Sequence, residues 1–136
     1  MKTPNKVKTP NKAYSIAFAG PILPGKEEPW RRFLQELAGS RSQEYATLKR
    51  RLGILTEWVW LMRTRDSTTV IACFEAQDPQ QALTRLVASE EPFDLWFKEK
   101  LREFHGYDLT RLREGWYPEL VFALGGHRPY GTGPQA

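Results

Sequence analysis

The chain has 136 residues, 40% of them apolar and 26% charged, which suffices for one packed domain and falls short of two. Its formal charge of +4 comes from one end: four of the 20 basic side chains (Lys2, Lys6, Lys8, Lys12) stand in an acid-free tail, and the other 16 cancel the 16 acids. A neutral body argues against nucleic acid as a partner. No apolar run approaches the ~20 residues of a membrane helix, and the single cysteine, Cys73, excludes an internal disulfide.

Residues 1–13 read as a disordered basic tail, since Lys2-Thr3-Pro4-Asn5-Lys6 recurs as Lys8-Thr9-Pro10-Asn11-Lys12 without a large apolar anchor. No apolar signal core follows, so the expected location is cytoplasmic. Tyr14 to Ala19 alternates as a strand, with Tyr14, Ile16 and Phe18 on one face. After Gly20-Pro21 and Pro24-Gly25 a helix is expected near Pro29. Its apolar stripe keeps near-helical spacing from Trp30 to Leu52, which predicts one long helix kinked at Gly39 and stopped by Gly53.

Ile54 to Thr64 and Thr69 to Ala76 are the second and third strands. Trp58, Trp60 and Met62 share one face of their hairpin, and Val59 and Leu61 the other. Both faces are apolar, so both require cover. Asp78-Pro79-Gln80-Gln81 caps a short helix, and Pro92 begins another that ends at Gly106 with the stripe Phe93, Trp96, Phe97, Leu101, Phe104. Leu120 to Leu124 is expected as a fourth strand. Residues 125–136, with four glycines and two prolines, form a tail. The order β-α-β-β-α-β is the split plan of an α+β, ferredoxin-like domain over residues 14–124, with helices on one face of an antiparallel sheet. The other face most simply meets a second copy, making a homodimer.

The Tyr14–Ala19 strand, Pro24-Gly25-Lys26-Glu27-Glu28 before the first helix, the Trp58–Met62 and Val70–Phe74 hairpin, and the Asp78-Pro79 helix start together resemble the dimeric α/β-barrel superfamily. That superfamily includes antibiotic-biosynthesis-monooxygenase-like proteins. The resemblance implies sheets meeting face to face and a pocket in each subunit between sheet and helices. Phe93-Asp94-Leu95-Trp96-Phe97-Lys98, followed by Phe104-His105, is also similar to a helix of haem-degrading members, which implies Trp96 as a pocket wall and His105 as an axial ligand. The Trp-to-His interval is one residue shorter than in those members, and their first-strand asparagine is absent from Tyr14–Ala19.

The candidate catalytic residue is His105, whose imidazole titrates near neutrality and suits base, acid or ligand chemistry, with Asp108 to orient it. Trp96, Phe97, Phe93, Tyr14, Phe18 and Trp30 are the candidate walls of a site for a hydrophobic or aromatic small molecule. The expected activity is cofactor-independent proton transfer or oxygenation. Haem bound through His105 is one alternative, and a non-catalytic binding or assembly module with a filled interior is the other. No metal site is expected: Cys73, His105 and His127 do not write a zinc motif.

Overall fold

A computed structural model describes residues 13–107, 109 and 117–125. The elements in chain order are β1 (Tyr14–Pro21), α1 (Glu27–Ala38), α2 (Ser42–Leu52), β2 (Ile54–Arg63), β3 (Thr68–Ala76), α3 (Pro79–Ala88) and α4 (Pro92–His105). The fold is α+β. Three antiparallel strands stand in the order β1-β3-β2, compatible with a ferredoxin-like plan. No described helix is long and apolar enough to cross a membrane.

Register decides which side chains share a face. Ala17 and Trp58 both lie opposite Cys73, and Ala19 and Trp60 both lie opposite Ile71. One face therefore carries Trp58, Trp60, Met62, Ile71, Cys73 and the small residues of β1. The other carries Ile16, Val70, Phe74 and Leu61, which pack with the helices. The alternation expected of all three strands is what the ladder shows.

The expected long helix is two helices. At Gly39 the backbone leaves helical geometry (φ −124°, ψ −100°), and the amides of Gly39 and Arg41 both donate to the Glu36 carbonyl. The break lets α2 change direction, so that Leu48 and Leu52 join Trp30, Phe33 and Leu37 in one core. An apolar stripe can keep its period across such a break, so spacing alone does not reveal it. Gly53 and Gly106 end α2 and α4 in the left-handed region, at φ 75° and 72°, as their positions after basic last turns predict. Asp78 caps α3 by accepting from the Gln81 amide at 3.1 Å, with Pro79 in the first turn.

The expected fourth strand is not formed. Residues 120–124 belong to no strand, and Val121, Phe122 and Leu124 are 71%, 78% and 89% exposed. The run Leu120-Val121-Phe122-Ala123-Leu124 is apolar throughout, but it has no ladder partner among the described residues.

Two polar ties fix the helices. Arg51 on α2 donates two hydrogen bonds to Asp94 in the first turn of α4, at 2.8 and 3.0 Å. Ser89 Oγ donates to the same carboxylate at 2.5 Å, and the Asp94 side chain is wholly buried. Lys98 then closes the C-terminal end of α3 by donating to the carbonyls of Val87 and Ser89.

Candidate functional site

Four of the expected pocket walls are brought together, and they fill the space between sheet and helices. Phe33 meets Trp96, Phe97 and Phe104 with ring centroids 5.6, 5.8 and 5.3 Å apart. Phe93 lies 5.4 Å from Trp96, and Trp30 is buried in the same cluster. These are spacings of packed aromatic rings, with no room for a ligand between them. The Arg41 guanidinium covers the Trp96 ring at 4.1 Å, closing it from outside. Phe18 belongs to a second cluster, stacked on Phe74 at 6.0 Å beside Ile16 and Ala76. Tyr14 is half-buried on that same helix-facing side, opposite Ala76.

His105 stands at the end of α4, 7% exposed. Its Nδ1 pairs with the Pro21 carbonyl at 2.9 Å, tying the end of the helix to the end of β1. Burial pushes its pKa down, against the opposing pull of that carbonyl, so the neutral ring is favoured. Tyr107 lies against it with centroids 5.0 Å apart, and Phe104 meets it edge-on. Asp108, the expected orienting group, lies outside the described residues. The Pro21 carbonyl holds Nδ1 and Tyr107 lies against the ring, so Nε2 is the nitrogen through which His105 would ligate a haem.

A different polar group faces the helix side of the sheet. Tyr45 on α2 donates to Glu57 Oε1 on β2 at 2.5 Å, and Lys49 Nζ approaches the same oxygen at 3.7 Å. Lys49 also sits 4.9 Å over the Tyr45 ring. Burial, then the Glu57 carboxylate, raise the phenol far above its ordinary pKa, so Tyr45 remains a donor. Glu57 stands out in the sequence as an acid in an apolar strand. Its partner, 12 residues away on a helix, carries no local signal.

Two open hollows lie on the surface of the described residues. One, of about 500 Å³, is lined by Arg51, Leu52, Arg85, Ser89, Glu90 and Glu91; the other, of about 350 Å³, lies between α4 and Tyr107. The first has charges of both signs, and Arg51 is already engaged by Asp94. Among the described residues no group of His, Cys, Asp and Glu is arranged to hold a metal.

The largest feature is the sheet face away from the helices. Trp58, Trp60 and Met62 are 43%, 54% and 53% exposed, side by side on β2. Across the sheet on the same face stand Ser15, Ala17 and Ala19 of β1. The result is a ridge of bulky side chains beside a shallow trough. Cys73 lies between them, half-buried, its thiol pushed up by burial and by Glu75. No protein-family model matches the chain, and neither a curated protein nor a solved structure does.

Proposed function

We propose that the protein acts as a homodimeric binding or assembly module, two copies closing on their uncovered sheet faces. The observation that carries this is the exposed row Trp58, Trp60 and Met62 on a face that no described helix covers. Large indoles left in water are costly, roughly 2 kcal/mol each relative to burial, and patches of this kind mark association surfaces. The face is also self-complementary: a two-fold axis sets the β2 ridge of one copy into the β1 trough of the other. The filled interior supports a module rather than an enclosed reaction chamber. Sedimentation velocity at tens of micromolar is expected to give twice the chain mass. A single species at the chain mass over that range overturns the reading.

A second reading, cofactor-independent proton transfer or oxygenation on a hydrophobic or aromatic molecule, has one observation in its favour. The Tyr45–Glu57–Lys49 group is a half-buried acid, base and cation in contact with the aromatic core. In this reading Glu57 accepts the substrate proton and Lys49 steadies the charge that forms. Glu57→Gln is expected to abolish the turnover that the wild-type protein shows on a panel of aromatic compounds; turnover equal to wild type removes the group from any mechanism.

A further inference from the structure

We infer that the two-fold axis of the dimer runs along β3, so that the two copies of β3 lie one over the other and Glu75 of each copy faces Glu75 of the other. The inference rests on the dimer proposed above. It adds an orientation, and a charge that limits the strength of association.

The rows of side chains across the uncovered face decide the axis. Pairing sets Ala17, Cys73 and Trp58 in one row, and Ala19, Ile71 and Trp60 in the next. In each row the small residue lies on β1, the bulky one on β2, and β3 stands between them. Ala17 and Ala19 are exposed, so the trough is open. A face-to-face pair has its two-fold axis in the plane between the sheets. An axis along β3 exchanges left and right and leaves each row at its own height. Trp58 then lies over Ala17 of the other copy and Trp60 over Ala19, in both directions. An axis across the strands keeps left and right, so ridge meets ridge and the troughs face a gap. Sheets crossed at a right angle bring the ridges together at one corner. Only the first arrangement closes the face, and it is the aligned packing in which sheets cross at about 30°. At 43%, 54% and 53% exposed, Trp58, Trp60 and Met62 alone present roughly 300 Å². That is a large share of the ~800 Å² that one partner of a stable interface buries.

The same axis fixes what β3 meets, because each of its residues lies close to its own counterpart. Ile71 and Cys73 meet neutral copies of themselves. Glu75 meets a like charge. It points to this face in a row with Ser15 and Thr56, and the Thr56 hydroxyl donates to its carboxylate. No basic side chain of the described strands shares the face to offset it. Sheets packed ~10 Å apart hold the two carboxylates on the order of 10 Å from each other. Screening reaches ~30 Å at 0.01 M salt, so the repulsion is felt there and fades as salt is added.

The test uses the full chain. Glu75→Gln should lower the dimer dissociation constant about 3-fold at low salt. Glu75→Lys repels its own copy as the wild type does, whereas a mixed dimer sets acid against base. In an equal mixture of the two chains, one isotopically labelled, native mass spectrometry at about 10 mM salt should find at least about two thirds of the dimers mixed, against the half of random pairing. In a Cys73→Ser background, Glu75→Cys with a short bis-maleimide should give a covalent dimer. Random pairing at low salt, an unchanged constant for Glu75→Gln, or a Glu75→Cys chain that does not cross-link overturns the axis and leaves the face-to-face dimer standing. A wild-type chain that is monomeric at tens of micromolar overturns both.

Discussion

Trp60→Glu is expected to convert the proposed dimer to monomer at micromolar concentration without unfolding the domain. In the single copy this indole is 54% exposed, so the fold does not depend on it. In the dimer it lies at the centre of the ridge. Losing it removes ~2 kcal/mol of apolar burial and places a carboxylate against an apolar surface at a further cost of a few kcal/mol. Together these raise the dissociation constant at least ~100-fold. Far-UV circular dichroism and the thermal midpoint, compared at dilutions where both proteins are monomeric, should agree within a few degrees. Arg32→Glu, on an exposed position of α1, changes charge at least as much and should leave the mass unchanged. A Trp60→Glu protein that still sediments as a dimer contradicts the assignment of the face.

The largest loss of stability is expected from Arg51→Met. Burial favours the protonated form of Asp94, but the Arg51 guanidinium and the Ser89 hydroxyl outweigh it and hold the carboxyl below its ordinary range. Taking away the arginine leaves the buried carboxylate with only the Ser89 hydroxyl and the more distant Lys98 charge; because the Arg51 side chain is itself 40% exposed and screened by water, the cost is about 1–3 kcal/mol. For a domain of this size that is a fall of ~5–10 °C in thermal midpoint. The double variant Arg51→Met, Asp94→Leu removes the orphaned charge and should recover much of the loss, because apolar replacements of similar volume often match a buried pair. A double variant no more stable than the single one contradicts this account of the pair.

The same contact sets a pH dependence. Asp94 binds its proton less readily folded than unfolded, so its contribution is complete above the unfolded value near ~4 and is lost as pH falls through the folded value. Acid denaturation of the Asp94→Asn protein should lack this component. His105 acts in a different window. Its folded pKa is lowered, so its contribution is complete above the unfolded value near ~6.5 and declines as the unfolded chain takes up the proton below it.

Much of the fold is legible in short-range pattern. Strand alternation places Trp58, Trp60 and Met62 on one face, and the register confirms it. Asp78-Pro79 and the glycines after α2 and α4 mark helix ends because each serves a local backbone need. Features that depend on where distant segments arrive are illegible. Arg51 and Asp94 stand 43 residues apart, and nothing near either announces the other. The apolar run of residues 120–124 reads as a strand, yet no ladder partner stands beside it among the described residues, and nothing local announces that. Trp96 and Phe97 illustrate a third case. An aromatic stripe at helical spacing has the same pattern whether it walls a pocket or fills a core, and the packed rings around Phe33 decide for filling.

Cys73 offers the most direct measurement of the central claim, because the chain's one thiol lies in the face assigned to the dimer. Its rate of modification by a thiol reagent should be slow at tens of micromolar protein and rise as dilution dissociates the dimer, reaching the rate of Trp60→Glu. A rate that is constant over that dilution and equal to that of Trp60→Glu at every concentration would show the face open to water and contradict the account.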